Sequence, residues 1–309
     1  MENSSSKGTA LSTMAISVVA FSVVALPNTA MAWNYQGHVA VGEIAYQNLN
    51  DTARHQVDIL AEKAYESLPA DVQKKMDSFE GASRFAALAM VPDMIRKQPA
   101  SEVWEEMGET IPAPLNQWDE KQTGQWHYIN LTYPATSQCN FVKEPNIRQV
   151  GTYLYSEFQQ QPQAASLMFL SHIAGDSHQP MHSVAYSLSK WRCKSDFGGN
   201  LYTLDVPEKD LHHLWDSGMG LLEKPHNIHE FAASLQEAYP RADMMLGDTG
   251  DVSLWVEESY DLADFAYQPK IDSKPSQAYI EQGQEKIKQR LAKAGYRLAD
   301  ELNTVFPQQ

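Results

Sequence analysis

Apolar residues recur at helical rather than strand spacing along most of this chain. Gly37 to Leu49 carries one such pattern, and Asp51-Thr52 is placed to cap a second helix running toward Ser67. Ser83 to Ile95, Val150 to Phe158 and Ala164 to Ala174 are rich in Ala and Leu. The last of these is apolar nearly all round, which predicts a helix buried in the middle of the protein. A long helix is expected from about Gln277 to Asn303, with Lys and Arg along one face. Lys97 to Gln122, Thr132 to Pro145 and Ser183 to Pro207 lack a period and are expected as loops. Within the last, Gly198-Gly199-Asn200 followed by the alternating Leu201-Tyr202-Thr203-Leu204 predicts one short hairpin. With no internal repeat and no low-complexity linker, the fold class is all-α: a single compact helical domain whose long loops carry part of the functional site.

The N-terminal segment stands apart. Ala15 to Leu26 is an apolar stretch, too short to span a membrane, and Ala30-Met31-Ala32 has the form of a cleavage signal. Residues 1–32 are therefore expected to be a signal peptide, and 33–309 the mature domain beginning at Trp33. The protein is then exported, either periplasmic or secreted. No later stretch could anchor it to a membrane, and no protein partner is implied. The mature length, roughly 280 residues, is enough to bury a sizeable core. A net charge of −15 excludes a broad basic face that reads duplex nucleic acid. It leaves open an enzyme that attracts a polyanion locally, through bound cations and a few Arg or Lys. Cys139 and Cys193 lack the C-x-x-C spacing of a zinc site and, after export, can form a disulfide.

The chemistry is concentrated in His and Asp. His172 and Asp176 are four apart, as are His212 and Asp216, so each pair lies on one helix face and can converge on a cation. His182 follows Pro180, while Asp93 and His127 lie upstream and His38 opens the first helix. Trp33 would present a free α-amino group, with its carbonyl oxygen to close a chelate ring. A set made only of nitrogen and oxygen donors suits zinc. His55, His226 and His229 are expected to be structural, with His178 and His213 supporting the ligands at most.

Six ordered motifs then carry a resemblance: the W-N-x-x-G-H start, D-x-x-R at Asp93 to Arg96, W-H-Y-I-N, F-L-S-H-I-A-G-D-S-H-Q-P-M-H, G-G-N and L-H-H-L-W-D-S-G. Over the whole mature chain the sequence resembles the S1/P1 nuclease family of secreted zinc enzymes. The resemblance implies three Zn2+ per chain. Asp93, His127, His172 and Asp176 would hold one. Trp33, His38 and the shared Asp176 would hold a second, and His182, His212 and Asp216 a third. It further implies that a metal-activated water attacks phosphorus, with Asp93 able to hold that water and Arg96 clamping the phosphate. Tyr128 and Asn130 would receive a base, and Asn200 would contact the phosphate or orient a ligand. Partners would be single-stranded DNA and RNA, cut to 5′-phosphorylated products, and nucleotides through a 3′-nucleotidase activity. A zinc phospholipase C has a similar fold and site and is the alternative; a non-enzymatic periplasmic metal-binding protein is the third.

Overall fold

The computed structural model describes residues 33–118, 123–189 and 191–308; the expected signal peptide, residues 1–32, lies outside them. Asn34 opens the first helix, α1 (Tyr35–Gln47), by accepting the Gln36 and Gly37 amides. Asn50 caps α2 (Asp51–Ser67) through the Ala53 amide. The cap thus precedes the Asp51-Thr52 pair expected to supply it, because Asp51 is already helical. After α3 (Ala70–Met76), the single helix expected over 83–95 is instead two, α4 (Arg84–Leu88) and α5 (Val91–Ile95). The turn between them releases the Ala89 carbonyl from the helix, and it faces His172 Nδ1 at 2.6 Å. The stretch expected to be irregular from Lys97 to Gln122 contains α6 (Ala100–Glu106) and α7 (Ala113–Asn116). Tertiary packing stabilises the first: Trp104 is buried, stacks on Phe169 at 5.4 Å and donates to Gln163 Oε1.

Asn146 caps α8 (Ile147–Gln160), which leads to α9 (Ala164–Asp176). Every residue of α9 is buried, as its uniformly apolar sequence predicts. The helices α1, α2 and α8 pack around it, together with the last of the chain. The remaining helices are α10 (Leu211–Asp216), α11 (Ile228–Ala238), α12 (Val252–Tyr260), α13 (Ala263–Ala266) and the 29-residue α14 (Gln277–Val305). Trp33, Trp215 and Tyr296 share one buried apolar core with α9, so the architecture is the expected helical one. No helix among the described residues is long and apolar enough to cross a membrane.

A small three-stranded sheet lies beside the helices. β1 (Leu131–Tyr133) runs parallel to β2 (Val184–Ser189), with Leu131 opposite Val184, and β2 turns back antiparallel into β3 (Lys194–Ser195). The hairpin therefore lies upstream of the expected one. Leu201 to Leu204 forms no strand beyond a single bridge from Thr203 to Asp210, because Phe197, Gly198 and Gly199 take positive φ and fold the chain back toward α10. Cys139 and Cys193 are joined, 54 residues apart in sequence, with their Cα atoms 5.3 Å apart. A bridge between loops suits an oxidising compartment. Replacing both cysteines by serine is expected to cost about 2–4 kcal/mol, chiefly by freeing the unfolded chain. Urea unfolding checks this, and an unchanged midpoint would show that the bridge adds no stability.

Candidate metal centre

The C-terminal half of α9 supplies the centre of the site. His172 and Asp176 lie one turn apart, and the Asp176 carboxylate is split between two neighbourhoods. Its Oδ2 lies 2.9 Å from His172 Nε2 and 3.1 Å from His127 Nδ1. Its Oδ1 lies 3.3 Å from His38 Nε2 on α1. Asp93, from α5, completes the first neighbourhood, with Oδ1 3.6 Å from His127 Nδ1 and 3.8 Å from His172 Nε2. Donors around a tetrahedral zinc with bonds near 2.0–2.1 Å stand about 3.3 Å apart, so these separations match a coordination shell. His182, His212 and Asp216 make a separate cluster, with His212 Nε2 3.4 Å from Asp216 Oδ2.

Orphaned buried atoms argue that these groups await cations. Both Asp93 oxygens, both Asp176 oxygens and one oxygen of Asp216 are buried without a hydrogen-bond partner. So are His38 Nε2, His182 Nε2 and His212 Nε2. Groups like these cost free energy unless paired, and here they point at one another. Several rings are meanwhile fixed from behind. His172 Nδ1 bonds to the Ala89 carbonyl, His182 Nδ1 to the His127 carbonyl at 2.6 Å and His212 Nδ1 to the Gly198 carbonyl at 2.5 Å. Each bond leaves Nε2 free to face the cluster and raises its basicity, as supporting bonds do for metal-ligating histidines. Gln179 Nε2 likewise holds Asp216 Oδ1 at 2.6 Å.

The electrostatics agree. Burial lowers the His38 imidazole to about 4, with the nearby His172 charge adding to the effect. His172 experiences the same burial, but Asp176 and Asp93 outweigh it and raise its pKa to about 9. Burial alone would raise Asp176, yet the His172 and His182 charges hold it well below the carboxylate range. Asp216 is pushed well up by burial despite Gln179. The carboxylates thus draw positive charge into a closed space, which bound cations satisfy without requiring protonated rings.

Two glycines permit the geometry. A Cβ at Gly175 would lie 2.7 Å from His38 Nδ1, so α9 could not approach α1 this closely with any other residue. At Gly198, φ is +64° and a Cβ would lie 2.4 Å from the Met181 carbonyl; only glycine lets that peptide turn its oxygen toward His212.

The other predicted residues fall around this core. Trp33 is fully buried; its indole donates to the Gly175 carbonyl at 3.1 Å, and the next amide, of Asn34, donates to the Asp216 carbonyl. Trp33 is thereby held between the end of α9 and the end of α10. Arg96 ends α5 one turn after Asp93 and is half-buried. Ile129 donates to the His182 carbonyl and points inward, leaving Tyr128 and Asn130 half-exposed on either side of it. Asn200 Nδ2 lies 3.2 Å from His212 Nδ1 and bonds to the Phe197 carbonyl at 2.7 Å, which places it behind the His212 ring. His178 and His213 lie outside the three clusters. His178 is locked between the Ala174 carbonyl and Arg297, and His213 pairs with Asp210. Two residues of the site carry no signal in the spacing of His and Asp. Tyr35 is half-buried at the start of α1, and its hydroxyl pKa is raised by burial and by Asp93, with Arg96 opposing. Gln179 lies within the longest motif, but its bond to Asp216 depends on how α10 packs.

The family model described as S1/P1 Nuclease matches residues 33–307, which span every one of these positions. The chain belongs to the S1/P1 nuclease family. Three curated relatives match it along nearly their full length. Endonuclease 3 of Arabidopsis thaliana is 26% identical over 91% of both chains. Endonuclease 1 of the same plant is 26% identical over 96% of this chain and 94% of its own. Endonuclease 4 is 23% identical over 91% of both. As an S1/P1 nuclease, the protein is a hydrolase of nucleic acids, and the three His/Asp clusters among the described residues fit a centre of several metal ions.

Proposed function

We propose that this nuclease is an exported, zinc-dependent endonuclease. In this reading it hydrolyses single-stranded DNA and RNA to 5′-phosphorylated products and also removes 3′-phosphates from nucleotides. The observation carrying the reading is the Asp176 carboxylate, buried and facing His38 through one oxygen and the His127/His172 pair through the other. In this reading Asp93, His127, His172 and Asp176 would hold one ion, Trp33, His38 and Asp176 a second, and His182, His212 and Asp216 a third. Bound zinc supplies Lewis acidity, lowering the pKa of water and offsetting charge on the phosphate.

The protein's own groups do the rest. Asp93 keeps an oxygen available to accept a proton from the attacking water. Arg96, one turn further along α5, offers its guanidinium to two phosphate oxygens. Tyr128 gives a base a flat partner for stacking, and Asn130 offers donor and acceptor to its edge. Unstacked bases satisfy that arrangement and paired ones do not, which is the physical basis for single-strand preference. Asn200, bonded to the Phe197 carbonyl, braces the turn whose Gly198 carbonyl holds His212.

Mature protein beginning at Trp33 is expected to cut single-stranded DNA faster than duplex, and to stop in chelator. Failure to cut DNA with metals verified as bound, together with release of phosphocholine, would move the reading to a phospholipase C. Metal binding without turnover of any phosphoester would make it a binding protein. Arg96→Ala is expected to lower kcat/KM on DNA by about 10²–10³-fold with metal content unchanged, the scale seen when a donor to developing charge is lost. Wild-type kinetics for that variant would remove the phosphate clamp from the reading.

A further inference from the structure

The β2–β3 hairpin follows directly on a residue of the metal centre and ends in an exposed indole beside exposed cations. β2 begins two residues after His182, and β3 runs back to Gly198, whose carbonyl fixes His212. Six residues of strand at about 3.3 Å each place roughly 20 Å of chain between the start of β2 and the tip. At the tip Trp191 is 95% exposed, flanked by exposed Arg192 and Lys194. Phe197, just before Gly198, is a second exposed aromatic in this segment, 55% exposed. This chain has a net charge of −15, so two neighbouring cations beside a bare indole stand out.

The one carboxylate on the returning strand is withdrawn from that face. Asp196 is fully buried and accepts from the Tyr186 amide, the Gly199 amide and the Tyr267 hydroxyl. The tip is also held in place: Cys193, between the two cations, is bonded to Cys139 of the 134–145 loop. A single exposed apolar residue is ordinary on a protein surface. An indole beside two cations, on a stapled hairpin rooted at a phosphodiester-cleaving centre, has the composition that grips an unpaired strand by stacking and charge.

We infer that this hairpin is a strand-binding finger: Trp191, Arg192 and Lys194 hold the part of a single-stranded nucleic acid that lies beyond the nucleotides being cut. The inference rests on the nuclease reading above. It means that long strands are bound more tightly than short ones, although the acidic body of the protein repels both.

The test compares a thymidine dinucleotide, too short to reach the finger, with a single-stranded DNA of about 20 nucleotides. Trp191→Ala is expected to raise KM for the long strand about ten-fold, the effect of losing one stacked base, while dinucleotide hydrolysis stays at the wild-type rate. The double variant Arg192→Glu, Lys194→Glu is expected to flatten the dependence of log Kd on log salt by about 1.4, from two lost phosphate contacts at about 0.7 each. An unchanged KM for the long strand overturns the finger, as does an equal loss on both substrates. So does a variant that binds DNA normally but no longer sediments with phosphatidylserine vesicles, which would make the tip a membrane contact. If the wild type cuts neither substrate, the nuclease reading fails on its own. The finger is then decided by anisotropy of the labelled long strand with wild type and Trp191→Ala, equal affinities refuting it.

Discussion

Asp176→Asn is expected to leave the protein folded but to empty most of its metal centre and lower kcat by at least a thousand-fold, about 4 kcal/mol of barrier. The amide keeps the shape of the carboxylate, so no cavity opens in α9. It cannot present two anionic oxygens, and Asp176 uses both: one toward His38, the other toward His127 and His172. Removing that charge separates two ligand groups that share one residue, while His182, His212 and Asp216 stay intact as a cluster. Metal analysis of the purified variant should therefore find the ion held by those three, with little of the others. Folding is less threatened than by the loss of a carboxylate from arginines, because the neighbours of Asp176 are imidazoles, which can give up a proton and remain buried as neutral rings. Near-UV circular dichroism matching the wild type, alongside lost metal and lost turnover, is the expected pattern. Full metal content with normal kcat would falsify the shared-carboxylate arrangement and with it the proposed division of ligands.

The same residue marks how much of the site is legible in the sequence. Helical periodicity requires His172 and Asp176, or His212 and Asp216, to share a face, so their four-residue spacing alone identifies these pairs. Convergence of Asp93, His127 and His38 on Asp176 depends on tertiary packing, and only the ordered family motifs point to it. What fixes His172, His182 and His212 leaves no trace in side-chain chemistry, because the partners are main-chain carbonyls of Ala89, His127 and Gly198, which every residue possesses. The break between α4 and α5 does have a side-chain signal: Pro92, at the start of α5, has no amide to bond the Leu88 carbonyl, although the Ala-rich stretch before it favours continuing the helix. The hairpin is expected too far along the chain because Leu201 to Leu204 alternates as a strand does, whereas the positive φ values at Phe197 to Gly199 turn it toward His212. The long final helix and the buried α9 agree with their patterns, which extend over many residues and leave one solution.

The cations along α14 are visible as a stripe, but not what they do, and Glu258→Gln exposes it. Arg290, Lys293 and Arg297 face α12, where Glu258 accepts from all three at 2.8–3.0 Å. Arg290 Nε also donates to the His178 carbonyl, and Arg297 to His178 Nε2, while the Ser259 hydroxyl donates to the Ser177 carbonyl. Asp261 and Lys286 line the same cleft, so it is not free of other charge. The network grips the two residues that follow Asp176 and leads into Gln179 and His182. Glutamine fills the space of Glu258 but leaves three cations packed together, two of them on buried arginines. Breaking such a pair by removing one partner costs about 3–5 kcal/mol. The loss should be seen as a lower urea midpoint at pH 7 with little change in slope. Its pH dependence is set by the carboxyl itself: burial works to raise it, but Arg297 and Lys293 hold it at about 2, against 4.5 ordinarily. A depressed carboxyl stabilises the folded state above its unfolded value, and that stability is lost as pH falls through the folded one. The gap between wild type and variant should therefore be constant above about pH 5 and close as pH falls from 4.5 toward 2. A gap that persists into that acid range would show that glutamine harms packing rather than charge, and that the three cations are held by something other than Glu258.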